Sequence, residues 1–239
     1  ISHKLKEVIE IADTVTVIRD GKTICSLSKK KKEINTQIII KSMVGRDINE
    51  IFPKREHNII DKIQFEVKNY NAFNKELNRQ VVKDSSFYVR KGEVIGLAGL
   101  MGAGRTEFAL AIFGNSLGYD ISGETYLDGK IVNLSSPKTA IKNGLAYVTE
   151  DRKVNGLILI QDIKKNITIA NLESISTNQF INENDEINTA NQYKDTINIK
   201  APSIEQKIEN LSGGNQQKVS ISKWLFTQPQ VLILDEPTR

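Results

Sequence analysis

Three runs of residues in this 239-residue chain have types and spacings suited to phosphate chemistry. Gly99–Glu107 reads GLMGAGRTE. Glycines at Gly99, Gly102 and Gly104, with Ala103 between, let successive backbone N–H groups wrap a polyphosphate. A helix opening behind them adds the positive end of its dipole, and the Thr106 hydroxyl suits Mg²⁺. The pattern calls for Lys where Arg105 stands. Arg105 keeps the charge, but its planar fork does not replace a compact ammonium between two phosphates. Nucleotide binding with impaired hydrolysis is therefore expected at this loop. Val231–Leu234 is an apolar run followed by Asp235 and Glu236. Buried carboxylates are costly unless they meet a cation, so Asp235 suits a Mg²⁺ contact and Glu236 a base acting on water. Leu211–Lys218 reads LSGGNQQK. There Ser212, Gly213 and Gly214 can present backbone amides to a phosphate at the head of a helix. Taken singly, a ligand-free glycine turn, a solvated strand end and a plain helix cap would read the same way.

These residues need elements to hold them. Val94–Ala98 reads as a short buried strand feeding the glycine loop, and Glu107–Phe113 as a helix closed by Gly114. Ile63–Asn69 alternates as an edge strand, Val81–Val89 does likewise, and Thr125–Val132 holds an Asp128-Gly129 hairpin. Residues 151–210 are polar and read as helical, with no phosphate loop or metal-ligand spacing. Val231–Leu234 is a last buried strand. Ahead of this α/β pattern, Ser2 can cap a helix whose Leu5, Val8, Ile9 and Ala12 share one face. Val15–Ile18 and Thr23–Leu27 then form a hairpin about Asp20-Gly21. Lys29–Lys32 reads as a solvated turn rather than a polyanion patch. A helix follows over Ile38–Val44, stopped by Gly45, within a linker from about 29 to 60.

Lys+Arg 33 against Asp+Glu 29 leaves a net charge of +4, too little to argue for nucleic acid. Hydrophobic content of 39% and charged content of 26% exclude disorder, collagen and coiled coil. No apolar run reaches the roughly 18 residues of a membrane span. One cysteine, Cys25, rules out an internal disulfide framework or a Cys-rich zinc site.

Leu211–Lys218 resembles the signature motif of ATP-binding-cassette (ABC) ATPases, in register with the phosphate loop before it and the Asp-Glu strand after it. The wording of Gly99–Glu107, of Thr149–Lys153 (TEDRK) and of Asp235–Arg239 (DEPTR) resembles the second cassette of bacterial monosaccharide importers. That is the ribose, galactose and xylose class, whose two cassettes share one chain. Met101–Phe113, Asp120–Lys130 and Ile160–Leu172 look most like its xylose and multiple-sugar members. Ile1–Leu5 resembles the switch-histidine segment of a first cassette, and Ser42–Asp47 the linker between cassettes.

The resemblance implies an α/β fold: a P-loop ATPase cassette with a RecA-like core, an antiparallel β subdomain and a helical subdomain. Residues 1–28 would be the end of the first cassette and 29–60 the linker. Residues 61–239 would be the second cassette, its helical subdomain at about 151–210, truncated after the Asp235-Glu236 strand. It implies ATP and Mg²⁺ held by Gly99, Gly102, Ala103, Gly104, Arg105, Thr106, Glu107 and Glu150, with Thr106, Asp235 and Glu150 facing the metal. Glu150 stands where most cassettes carry Gln. Leu211, Ser212, Gly213, Gly214, Asn215 and Gln216 would act in trans on nucleotide held by the first cassette. Glu236 would be the catalytic base here, and His3 would serve the first site. Tyr70 or Phe73 could stack on adenine; His57 reads as a surface residue. Implied partners are permease subunits, a periplasmic or lipid-anchored sugar-binding protein and the chain's own first cassette, at the cytoplasmic face of the membrane. No nucleic acid is expected. A soluble cassette ATPase of translation or DNA repair, and a nucleotide-binding regulator without hydrolysis, are the competing readings. The basic insertions and coiled-coil arms of the former are missing, and Glu236 argues against the latter.

Overall fold

The computed structural model describes residues 5–19, 21–31, 33–45 and 58–238. The chain divides into two compact units, Ile1–Glu56 and His57–Arg239. In the first, helix α1 (Leu5–Ile11) precedes an antiparallel hairpin of β1 (Thr14–Arg19) and β2 (Lys22–Ser28). Its apolar stripe is the expected one: Leu5, Val8, Ile9 and Ala12 lean on a small core of Val15, Val17 and Ile39. Ile39 belongs to α2 (Thr36–Val44), started by the Asn35 side chain accepting from the Gln37 N–H and ended at left-handed Gly45, φ 82°. This helix is thus part of the unit's core. Lys29–Lys31 form an exposed turn, with Lys29 Nζ donating to the Glu10 carbonyl.

In the second unit, β3 (Ile60–Asn74), β4 (Arg79–Lys91), β5 (Asp120–Leu127) and β6 (Lys130–Ile131) form an antiparallel sheet ordered β4-β3-β5-β6. β3 is interior and not the edge strand expected. Alternation marks one covered and one open face, and it is silent on whether both edges are paired. The buried set shifts from Phe65 and Val67 to Tyr70 and Ala72, because Asn69 (φ 48°) makes a bulge that moves the register by one. The β5–β6 turn is the Asp128-Gly129 pair, both left-handed, as that dipeptide predicts.

Against this sheet packs α3 (Arg105–Ile112), through edge-to-face contacts of Phe108 with Tyr70 and Phe87. α4 (Pro137–Lys142) opens with a reciprocal Ser136/Thr139 capping box and leads into β7 (Leu145–Val148), a fully buried strand. The remaining segment mixes structures where helix alone was expected. It runs through a π-helical turn (Arg152–Gly156), α5 (Ile163–Thr168), a 3-10 stretch, a two-by-two hairpin of β8 (Ser176–Thr177) and β9 (Phe180–Ile181), and α6 (Glu183–Thr196). The hairpin arises because Asn178 and Gln179 both take positive φ, which closes a two-residue turn and breaks a helix. Helix α7 (Gly213–Leu225) and β10 (Val231–Leu234) complete the unit. Ile163, Ile167, Ile208 and Val219 form a second core between α5 and α7. β10 lies parallel to β7, Val231 opposite Leu145 through Leu234 opposite Val148.

Candidate functional site

The glycine loop does open a helix, but no strand leads into it. Residues 93–100 are irregular, and Val94, Leu97, Leu100 and Met101 are largely exposed. An apolar run becomes a strand only when another strand offers an edge to pair with, and among the described residues none pairs with 94–98. Gly104 ends the loop as the cap of α3 in the left-handed region, φ 85°, where a Cβ would stand 2.6 Å from the Val81 carbonyl oxygen. Both facts demand glycine. No side chain caps α3, so its first N–H groups are open to an anion, with Arg105, Thr106 and Glu107 in that turn. Around Gly102 there is open space.

The two acids follow β10 as expected. The Asp235 N–H extends the parallel ladder to the Val148 carbonyl at 2.9 Å, and its Oδ2 accepts from the Tyr147 hydroxyl at 2.9 Å. Tyr147 is buried on β7. That burial, with the adjacent Asp235 charge, pushes its hydroxyl well above the usual tyrosine range, so the phenol stays a proton donor to the carboxylate at any ordinary pH. Glu236 turns the chain at φ 44° and meets Arg105, whose Nη1 lies 3.4 Å from Oε1. The pair is 38% and 47% exposed, and such a pair contributes about 0–1 kcal/mol. Its interest is its location, since the loop's cation and the candidate base face one another. Arg105, Asp235 and Glu236 stand on a cleft of about 990 Å³ that continues between residues 94–97 and β10.

The third constellation lies at the head of α7. Ser212 is its N-cap and its side chain caps none of the helix's backbone N–H groups, so the first amides of α7 are uncovered. Asn215 braces this turn. Its amide donates to Ser212 Oγ at 3.1 Å and its oxygen accepts from the Lys200 N–H at 2.9 Å. Gln216 is turned inward, 5% exposed, donating to the Ile208 carbonyl. It holds the loop from behind. Leu211 is likewise a core residue. Gly214 has nothing within 4 Å of where a Cβ would be, while Gly213 lies against the Arg152 guanidinium.

Tyr70 is removed from the adenine candidates: its ring is buried against Phe108 and its hydroxyl donates to the Ala111 carbonyl. Burial raises its pKa to about 12. Phe73 is half-buried at the far end of β3. Glu150 is half-buried just beyond β7. His3 and His57 lie outside the described residues. Among the described residues no three or more His, Cys, Asp or Glu side chains cluster as a metal cage. A Mg²⁺ ion held by one or two carboxylates and nucleotide phosphates needs none, and Thr106 and Asp235 are donors of the right kind. Tyr147 and Arg152 were missed by sequence reasoning. The only signal was the apolar run 145–148 ahead of Thr149–Lys153.

The pattern of the ABC transporter family matches residues 82–239. Over its whole length the chain is 51% identical to the L-arabinose transport ATP-binding protein AraG of Geobacillus stearothermophilus, covering 47% of that protein. It is 48% identical to the xylose import ATP-binding protein XylG of Thermoanaerobacter pseudethanolicus, again over all of this chain and 47% of that one. The ribose import ATP-binding protein RbsA of Clostridium tetani is 44% identical, with 45% of its length covered. The chain thus spans about half the length of these relatives. Among solved structures, a nucleotide-free ATP-binding cassette from an ABC transporter superposes on 74% of this chain and 70% of its own, with TM-score 0.61 and 19% identity.

Proposed function

We propose that this chain, which belongs to the ABC transporter family, is part of the ATP-binding subunit of a monosaccharide importer. Residues 1–28 are the end of one nucleotide-binding cassette, 29–60 a connector and 61–239 much of a second. The subunit works with a permease and a sugar-binding protein at the cytoplasmic face of the membrane. The relatives' names support a monosaccharide, and arabinose and xylose among them favour a pentose.

One observation carries the reading: a glycine loop opens an uncapped helix whose Arg105 faces Glu236, beside Asp235 just past the end of β10. The loop amides of Gly102 and of Gly104 to Thr106, with the Arg105 charge, hold the phosphates. Thr106 and Asp235 take the metal, with Asp235 oriented by Tyr147. When bound, ATP would supply the free energy of a phosphoanhydride. Ser212–Gly214 present their amides to nucleotide held by the other cassette. Arg105 pairs with Glu236 and so competes with its work as a base. This second site therefore binds ATP and holds the closed state, while most turnover occurs at the first. In the full-length transporter, Arg105→Lys raises hydrolysis at this site and Ser212→Arg abolishes sugar uptake into proteoliposomes. Uptake that survives Ser212→Arg would overturn the assignment.

A further inference from the structure

The segment after Glu150 is laid along α7. A Cβ at Gly213 would stand 2.8 Å from Arg152 Nη2, so the guanidinium occupies the space a side chain there would need. One turn further, a Cβ at Gly156 would touch Thr149 Cγ2 at 3.0 Å, Arg152 Cβ at 3.2 Å and Ser220 Oγ at 3.5 Å. The Gly156 carbonyl accepts from the buried Lys223 ammonium at 2.5 Å. Gly213, Ser220 and Lys223 are spaced by seven and three residues, which places them on one face of α7. Within the segment, Asp151 accepts from the Lys153 and Val154 N–H groups, so the turn is internally braced. Gly213 itself has no positive φ. A side chain there would have to displace the end of the Arg152 side chain.

We infer that Arg152 is a positioning residue: it sets where Ser212–Gly214 stand from the turn that follows β7, and so acts on the site its signature loop serves. The inference rests on the trans role proposed above. A shift of that turn is passed to Gly213 by a guanidinium packed directly on it, because Gly156 and Lys223 leave the turn little freedom. Changing Arg152 leaves the phosphate-binding amides of Gly102 and of Gly104 to Thr106 in place, so it acts on turnover and not on ATP affinity.

The test is steady-state ATP hydrolysis by the complete two-cassette protein, assembled with its permease in nanodiscs. Arg152→Gln should lower kcat on the order of tenfold or more, since misplacing a reacting group by about 1 Å costs that much. KM for ATP should stay within about twofold, the mark of an interaction made only in the turnover state. Arg152→Lys, which keeps the charge and reaches the same space, should recover part of the loss. Gly213→Ala, which disturbs the contact from the other side, should reproduce it. In a Ser212→Ala background, Arg152→Gln should add nothing. Equal fold-losses with and without Ser212→Ala would overturn the positioning role alone, as would a fall in kcat that tracks a fall in Tm across all three variants. A silent Ser212→Ala would overturn the trans role, and the positioning role with it.

Discussion

We predict that raising the pH stabilises this protein through Lys223. Its side chain is 9% exposed, its Nζ donates to the Gly156 carbonyl at 2.5 Å and sits 4.7 Å from the Trp224 ring centroid. Burial nevertheless dominates and lowers its pKa from 10.5 to about 8. Below about 8 both the folded and the unfolded chain carry the proton, and the full cost of the buried charge is present. As pH rises from about 8 to 10.5 the folded chain loses the proton first, the unfolded state binds more protons, and stability rises. At ~1.4 kcal/mol per pH unit, the interval from about 8 to 10.5 is worth about 3 kcal/mol. The measurement is urea unfolding followed by far-UV circular dichroism between pH 7 and 10, on the wild type and Lys223→Met. Other titrations are common to both proteins and cancel in the difference. At pH 7 the two should be close, because Lys223→Met loses a charged hydrogen bond of about 1.5–3 kcal/mol but also a buried charge of similar cost. The wild type should then pull ahead as pH rises. Parallel stability curves across that range would refute the reasoning, since they would mean that Lys223 titrates alike in both states.

Three further outcomes follow from the geometry. Tyr147→Phe removes the donor to Asp235 at 2.9 Å and should cost about 1–2 kcal/mol in urea unfolding; an unchanged midpoint would show that the bond contributes nothing. Gly114→Ala puts a Cβ onto the backbone of Ser136 and Pro137 at φ 83°, whereas Gly129→Ala at φ 75° meets open space. The first should therefore cost about 3 kcal/mol or more and the second about 1–2, read by the fluorescence of Trp224, the single tryptophan. Asn166→Ala leaves the Ile158 N–H without its partner at a site 1% exposed and takes one of two donors from each of the Ile158 and Asp162 carbonyls, which keep the Gln161 and Asn166 N–H groups. It should destabilise by about 2 kcal/mol, and a loss under 1 kcal/mol would mean that water replaces the amide.

What the sequence made legible is what is decided within a few residues. Asp128-Gly129 closes its hairpin because both residues accept positive φ, and the stripe of Leu5, Val8, Ile9 and Ala12 finds a core because helical spacing is a local property. The loop ending in Gly104 and the acids after Leu234 were readable for the same reason, since each is a short chemical pattern tied to one element's end. What was not legible depends on a second segment. Whether Val94–Ala98 is a strand is decided by a neighbour's free edge, and β3 is interior because β5 covers the side its own alternation cannot describe. Tyr147 reads as one more core aromatic until β10 sets Asp235 against its hydroxyl. Arg152 reads as a solvated charge until α7 brings Gly213 under its guanidinium. Tyr147 and Arg152 share a cause: one lies on the buried strand β7 and the other on the turn just beyond it, and each reaches across to a motif recognisable by itself. The recognisable motifs are thus the parts that would meet nucleotide, while the residues that aim them sit on the adjoining strand and turn, where a phenol or a guanidinium has no signature of its own.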